Sequence, residues 1–263
     1  MKITSTSILT LLLCLSFISN AQSISEEQKG LEIAQEADKR DTGFGDSTAS
    51  LIMELKNKQG QSSTRHVRVK NLEVKGDGDK SMSIFDKPAD VKGTAFLTFS
   101  HATTADEQWL YLPAIKRVKR INSKNKSGPF MGSEFAYEDI SSQELEKYTY
   151  KYLRDEKLDD IDCFVLERFP AYEFSGYTRQ IIWINKNEYR PEKIVFYDRK
   201  NSLLKTLTYF NYKQYLGQYW RAQKMHMTNH QTGKSTLLTW DEYAFKTGLS
   251  DSDFSRNSLK RAK

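Results

Sequence analysis

Apolar positions follow two different periods along this chain. Ile24, Leu31, Ala34 and Ala37 recur at roughly helical spacing, and Ser25-Glu26-Glu27-Gln28 ahead of them fits a capping box. Acids in the first turn and Lys39-Arg40 in the last complement the helix dipole, and Asp41-Thr42-Gly43-Phe44-Gly45 ends the pattern. After Gly45 the period becomes two: Ala49, Leu51, Met53 and Leu55 alternate with Ser50, Glu54 and Lys56. Leu51, Met53 and Leu55 therefore share one face of a strand, as packed core or as the lining of a cavity. Val67 and Val69 alternate in the same way, then Leu72 and Val74 take the opposite parity, which predicts a β-bulge near Asn71.

Short strands are readable around 82–85, 94–99, 108–112 and 116–121. Beyond residue 147 the pattern is cleaner. Tyr148, Tyr150 and Tyr152 share a face, and runs at 163–169, 178–184, 192–197, 205–215, 219–228 and 236–243 are separated by turn residues. Turn signals at this spacing predict an antiparallel meander of about eleven strands. With no strand–helix alternation and no Gly-rich phosphate loop, a parallel nucleotide-binding fold is not expected. A sheet this large, curved around one or two helices, has too little covering mass to fill its concave side and is expected to enclose a ligand cavity.

Residues 122–147 interrupt the meander. Ser127-Gly128-Pro129-Phe130-Met131-Gly132-Ser133 holds two large apolar side chains among glycines and a proline, and 139–146 looks helical. Long structured excursions of this kind often carry function.

The N-terminus and composition set the compartment. Lys2, the apolar run 8–18 and the small residues of Ser19-Asn20-Ala21 make a signal peptide cleaved after Ala21, and the run is too short to span a bilayer comfortably. Cys14 follows Leu13, where lipoprotein processing wants a small residue, so it reads as part of the discarded peptide. One cysteine, Cys163, is left, and the core rather than a disulfide must hold residues 22–263 together. Tyr and Phe at 14 each favour strands and supply large buried areas. No later run approaches ~18 apolar residues, which predicts a soluble mature protein. The formal charge of +6, of which Lys2 supplies one, suits an anionic membrane surface, while the export signal excludes nucleic acid as a partner.

Catalytic signals are thin. His226 and His230 are four apart on a strand, a span of about 13 Å, too far to share one ion. His66 and His101 lack local partners. Glu138-Asp139 and Asp159-Asp160-Asp162 read as solvent-facing loop carboxylates, and Asp77-Gly78-Asp79 lacks the rest of a calcium loop. No nucleophile elbow exists, and Cys163 in an apolar strand reads as an inert thiol. No enzyme, metal or cofactor is expected. Lys116, Arg117, Lys119, Arg120, Lys124 and Lys126 put six cations in eleven residues, either a solvated strand face or a dock for anionic headgroups or an acidic partner. An apolar tip at Phe130-Met131 beside that strand is what a lipid-exchanging surface needs.

Trp109-Leu110-Tyr111-Leu112-Pro113 leading into 116–120, followed by Gly128-Pro129-Phe130-Met131-Gly132-Ser133-Glu134-Phe135-Ala136-Tyr137-Glu138-Asp139, resembles the outer-membrane lipoprotein-sorting protein family. These are LolA/LolB-like periplasmic carriers, here of a branch associated with RND-type transporters. The resemblance covers nearly all of residues 22–263 and implies one half-barrel domain. It implies an unclosed antiparallel β-barrel of about eleven strands, with a few helices covering the concave side. It further implies an apolar cavity that receives acyl chains of a lipid or lipoprotein and shuttles them toward the outer membrane without catalysis. The resemblance assigns no individual contact; the strand pattern and the 127–133 segment make Leu51, Met53, Leu55, Phe130, Met131 and Phe135 the candidates to line the cavity or its entrance. Lys116, Arg117, Lys119 and Arg120 meet a membrane transiently, or an inner-membrane RND-type transporter. A non-catalytic adaptor subunit of such a transporter would share the export signal and fold but have a filled core.

Overall fold

A computed structural model describes residues 24–262, so the signal peptide and its cleavage after Ala21 lie outside the described residues. Helix α1 spans Glu26–Asp41, with the Ser25 hydroxyl accepting from the Gln28 N–H at 3.1 Å as the capping box requires. Six strands follow: β1 Asp46–Lys56, β2 Ser62–Leu72, β3 Lys80–Lys87, β4 Ala95–Phe99, β5 Glu107–Leu112 and β6 Arg117–Ile121. After the excursion come β7 Tyr148–Leu158, β8 Ile161–Pro170, β9 Tyr177–Asn185 and β10 Pro191–Asp198. The meander ends with β11 Leu203–Tyr215, β12 Tyr219–Asn229 and β13 Ser235–Phe245, and a short helix α2 covers Arg256–Arg261.

All thirteen strands form one antiparallel sheet, two more than the count of about eleven, because every alternating run became a strand. Its order is β6-β5-β4-β3-β2-β1-β13-β12-β11-β10-β9-β8-β7. Each strand pairs with its sequence neighbour except at the β1–β13 seam, and β6 and β7 remain as unpaired edges. The sheet is therefore open, as expected.

Both faces are apolar over much of its area. On the inner face Leu51, Met53, Val67, Phe85, Phe96, Leu166, Ile182, Leu207, Met227 and Leu238 form the main core with Ile33 and Ala34 of α1. On the outer face Met82, Ile84, Leu97 and Trp109 are covered by Phe254 and Leu259 of the C-terminal segment. A second outer cluster joins Cys163, Val165, Trp183 and Val195. Burial there pushes the Cys163 thiol up to about 11. The double-sided pattern corrects the expected bulge at Asn71. The β1–β2 register runs without a shift from Asp46↔Leu72 to Lys56↔Ser62, and Leu72 changes parity because it packs with the outer cluster.

Helix α1 lies on the inner face against β7. A Cβ at Gly30 would stand 2.8 Å from the Tyr152 nitrogen and 2.9 Å from the Lys151 carbonyl carbon, so this approach admits only glycine.

Candidate functional site

Residues 122–147 leave the β6 edge, cross the inner face and return to the β7 edge as a strap without regular helix. The expected helix over 139–146 is absent: short 3-10 turns at Tyr137–Asp139 and Leu145–Lys147 stand instead. Polar groups there are drawn to the sheet and its flanks, as when the Gln108 amide donates to Ser141 Oγ at 3.1 Å and the Ser142 backbone N–H donates to Ser100 Oγ at 3.0 Å.

At its centre the strap folds on itself. The Phe130 N–H donates to the Phe135 carbonyl at 2.7 Å, and the Tyr137 N–H to the Gly128 carbonyl at 3.1 Å. This tight loop aims Phe130 into the sheet rather than away from it. Only 2% of Phe130 is exposed, and its ring centroid lies 5.0 Å from Phe96, 5.7 Å from Tyr137 and 6.0 Å from Phe85. The expected apolar tip is thus a plug, with Phe135 also buried. Met131, half-buried in the left-handed conformation, presents its carbonyl to the Arg65 guanidinium. Leu51 and Met53 lie in the same core, whereas Leu55 reaches its rim.

Two carboxylates read from sequence as wet are buried, and they hold the strap. Asp139 Oδ2 accepts from Lys205 Nζ at 2.6 Å and from the Ala136 N–H at 2.7 Å, and its Oδ1 accepts from the Tyr177 hydroxyl at 2.8 Å. Glu138 accepts from the Gly176 N–H at 2.8 Å, Ser175 Oγ at 2.9 Å and the Tyr172 hydroxyl at 3.1 Å. Burial, with the Asp139 charge beside it, raises the Glu138 carboxyl above the ordinary range. Lys205 also donates to the Glu134 carbonyl at 2.9 Å, and the Arg168 guanidinium reaches Gln143 Oε1 at 2.9 Å and Gln180 Oε1 at 2.7 Å. A signal for this patch was present. Arg168, Gln180 and Lys205 share inner-face parity with Leu166, Ile182 and Leu207, and polar groups on an apolar parity need buried partners.

The basic run does not form one surface. In the β5–β6 register Arg117 and Lys119 stand opposite Leu112 and Leu110 of the inner face, whereas Arg120 stands opposite Trp109 of the outer face and pairs with Glu107 at 2.7 Å. Lys116 caps the preceding turn in the left-handed conformation. Lys124 and Lys126 belong to the strap and lie over the Phe174 and Tyr172 rings at 5.6 and 3.7 Å.

A groove of about 840 Å³ opens where the strap meets the β9, β11 and β12 ends, lined by Phe135, Tyr177, Arg199, Lys200, Lys205 and Lys234 among others. A second of about 320 Å³ adjoins it at Leu55, Lys56 and Thr236, sharing Gly132, Glu134 and Lys234 with the first. His226 and His230 do not converge; His230 bonds Thr206 Oγ1 at 2.8 Å.

A family model described as an uncharacterized protein matches residues 77–261. A search of curated proteins finds no match. Among solved structures, one from Vibrio parahaemolyticus, described as an outer membrane lipoprotein-sorting protein domain, is 63% identical. It covers 89% of this chain and 100% of its own, with a TM-score of 0.88. A DUF1329 family protein from Desulfovibrio piger is 30% identical over 89% of this chain and 99% of its own, TM-score 0.85. A LolA superfamily protein from Nitrosomonas europaea shares the fold at 22% identity, with 87% and 98% coverage and a TM-score of 0.71. By the family model and the two nearer matches, the chain belongs to the family of the DUF1329 protein and the Vibrio lipoprotein-sorting protein domain, and its open sheet is the fold it shares with the LolA superfamily protein.

Proposed function

We propose that this chain is a periplasmic carrier that binds acyl chains of a lipid or lipoprotein against the inner face of its open sheet and shuttles them toward the outer membrane. The supporting observation is how the strap is attached. Among the described residues no ladder ties its centre to the sheet; side chains do, chiefly Lys205 on Asp139 and Tyr172, Ser175 and Tyr177 on the Glu138-Asp139 pair. Releasing those anchors, together with the contacts of Arg65, Ser100, Gln108 and Arg168, would lift Phe130 and Phe135 from Phe85 and Phe96 without dismantling any strand, and would bare an apolar surface. Leu51, Met53, Leu55, Phe130, Met131 and Phe135 are then the acyl-chain contacts. Carriers of this design need no catalytic group.

Export by cleavage after Ala21, one domain over 22–263, and an RND-type transporter docking at Lys116, Arg117, Lys119 and Arg120 complete the reading. Native mass spectrometry of gently purified mature protein tests it: co-purified lipid supports the carrier, and delipidated protein should take up a fluorescent fatty acid. The burial of Phe130 also favours a second reading, a non-catalytic adaptor subunit of an RND-type transporter with a permanently filled core. Delipidated protein that takes up no fatty acid, yet co-purifies with a transporter, would select the adaptor.

A further inference from the structure

The turns joining β8 to β9, β10 to β11 and β12 to β13 lie at one end of the sheet, around the larger groove. Two large apolar side chains are exposed there: Phe174 at 42% and Leu203 at 44%. Phe174 holds the left-handed conformation, with φ 63°, at the tip of its turn. Neither lines the groove itself, but each is bonded to a side chain that does. The Phe174 carbonyl accepts from Arg199 Nη2 at 3.1 Å, and the Leu203 carbonyl accepts from Gln231 Nε2 at 3.1 Å.

Cations surround them. Lys124, Arg199, Lys200 and Lys234 are all exposed at this end. The acids nearby are Glu134, Glu173 and Asp198, with Glu138 and the Lys205-paired Asp139 buried on the underside of the strap, and Asp198 and Glu134 spend oxygens on bonds within the fold. Asp198 accepts from the Lys200 and Ser202 N–H groups at 2.8 and 2.9 Å, and Glu134 accepts from Asn229 Nδ2 at 2.7 Å. Arg199 is held by carbonyls of Phe174 and Ser175 and by Ser127 Oγ, none of which neutralises its charge.

From this arrangement we infer that the β8–β9, β10–β11 and β12–β13 end, rather than the basic edge strand β6, docks on an anionic bilayer. Phe174 and Leu203 enter the headgroup layer while Lys124, Arg199, Lys200 and Lys234 meet lipid phosphates. A mixed apolar and cationic rim suits that boundary, since charge supplies long-range attraction and the apolar groups hold once contact is made. The docking deepens the carrier reading on which it rests, because it sets the groove and the strap's anchors at the membrane surface.

Vesicle flotation of the full mature protein tests it, with phosphatidylcholine vesicles with or without phosphatidylglycerol. Wild type should float with the anionic vesicles only. Lys124→Glu/Lys200→Glu/Lys234→Glu should lower the bound fraction about tenfold or more at low salt, with the difference shrinking as salt rises. Phe174→Ser/Leu203→Ser should weaken binding at every salt concentration. Arg117→Glu/Lys119→Glu should float like wild type. All these side chains are exposed, so unchanged melting curves control for folding. Rim variants that float normally, loss of binding only in the β6 variant, or full competition by free glycerol phosphate would each overturn the docking surface. Absence of co-purified lipid in wild type that still floats would remove the carrier reading and leave the docking intact.

Discussion

Lys205 Nζ sits 2.6 Å from Asp139 Oδ2, with only 4% and 8% of the two side chains exposed, and joins residues 66 apart in sequence across the inner face. Such a pair is worth little over an apolar substitute, because desolvating both charges offsets their attraction, but losing one partner strands the other. Lys205→Met should therefore cost ~3–5 kcal/mol at the strap, and Lys205→Met/Asp139→Asn should recover much of it. Hydrogen exchange at the Phe130 and Tyr137 amides reports the strap directly. Their exchange should speed by about 100-fold or more in Lys205→Met while the β1–β2 ladder stays protected. Equal loosening of both would mean the strap is not a separate unit.

Gly30→Ala should act against ordinary helix propensity. In an exposed helix interior the change gains about 1 kcal/mol. Here the new Cβ would meet the β7 backbone at 2.8 Å, and backbone cannot yield as a side chain can. Overpacking should cost ~1–3 kcal/mol, lowering Tm by a few degrees. A rise in Tm would show that α1 does not seat on β7.

Asp79 gives the fold a pH dependence near neutrality. Burial pushes its carboxyl up from 3.8 to about 7, with the Val74 N–H donated to it at 3.1 Å as a smaller opposing effect. A raised carboxyl binds its proton more tightly in the folded chain. Its contribution is therefore full below 3.8 and is lost as pH rises through about 7. Asp77 works in the opposite direction, since its bond to His101 holds it down at about 2. Comparison of wild type with Asp79→Asn by urea unfolding isolates the Asp79 contribution. Wild type should lose stability relative to the variant between about pH 4 and pH 8. Parallel curves would contradict it.

The strands were legible because alternation survives wherever one face is wet, as at Leu51, Met53 and Leu55 against Glu54 and Lys56. Leu72 misled because a second apolar cluster covers the outer face of β3–β5, so a change of parity meant a change of face rather than a bulge. Glu138 and Asp139 could not be read locally: their partners Tyr172, Ser175, Gly176, Tyr177 and Lys205 are 34 to 66 residues away. The 139–146 stretch has helix-forming composition, but Ser141, Ser142 and Gln143 spend their polar groups on Gln108, Ser100 and Tyr148, and tertiary bonds override propensity.

Phe130 separates the two ways of reading the strap. As an exposed tip it could be replaced without loss; as a ring packed on Phe96 and Phe85 it cannot. Phe130→Ala should cost ~3–5 kcal/mol, reduced if the strap collapses into the space. Met131→Ser, at a half-buried turn position, should cost well under half of that. The functional consequence has the opposite sign. If acyl chains enter by lifting the strap, removing the ring lowers the work of opening and leaves volume for cargo, so Phe130→Ala should take up a fluorescent fatty acid faster than wild type. Lys205→Met should do the same by releasing the anchor. Faster uptake in both variants is expected of a lid. Slower uptake in Phe130→Ala alone would mean the ring itself grips the chain, and no uptake by wild type or either variant would leave the plug as permanent core, as the adaptor reading requires.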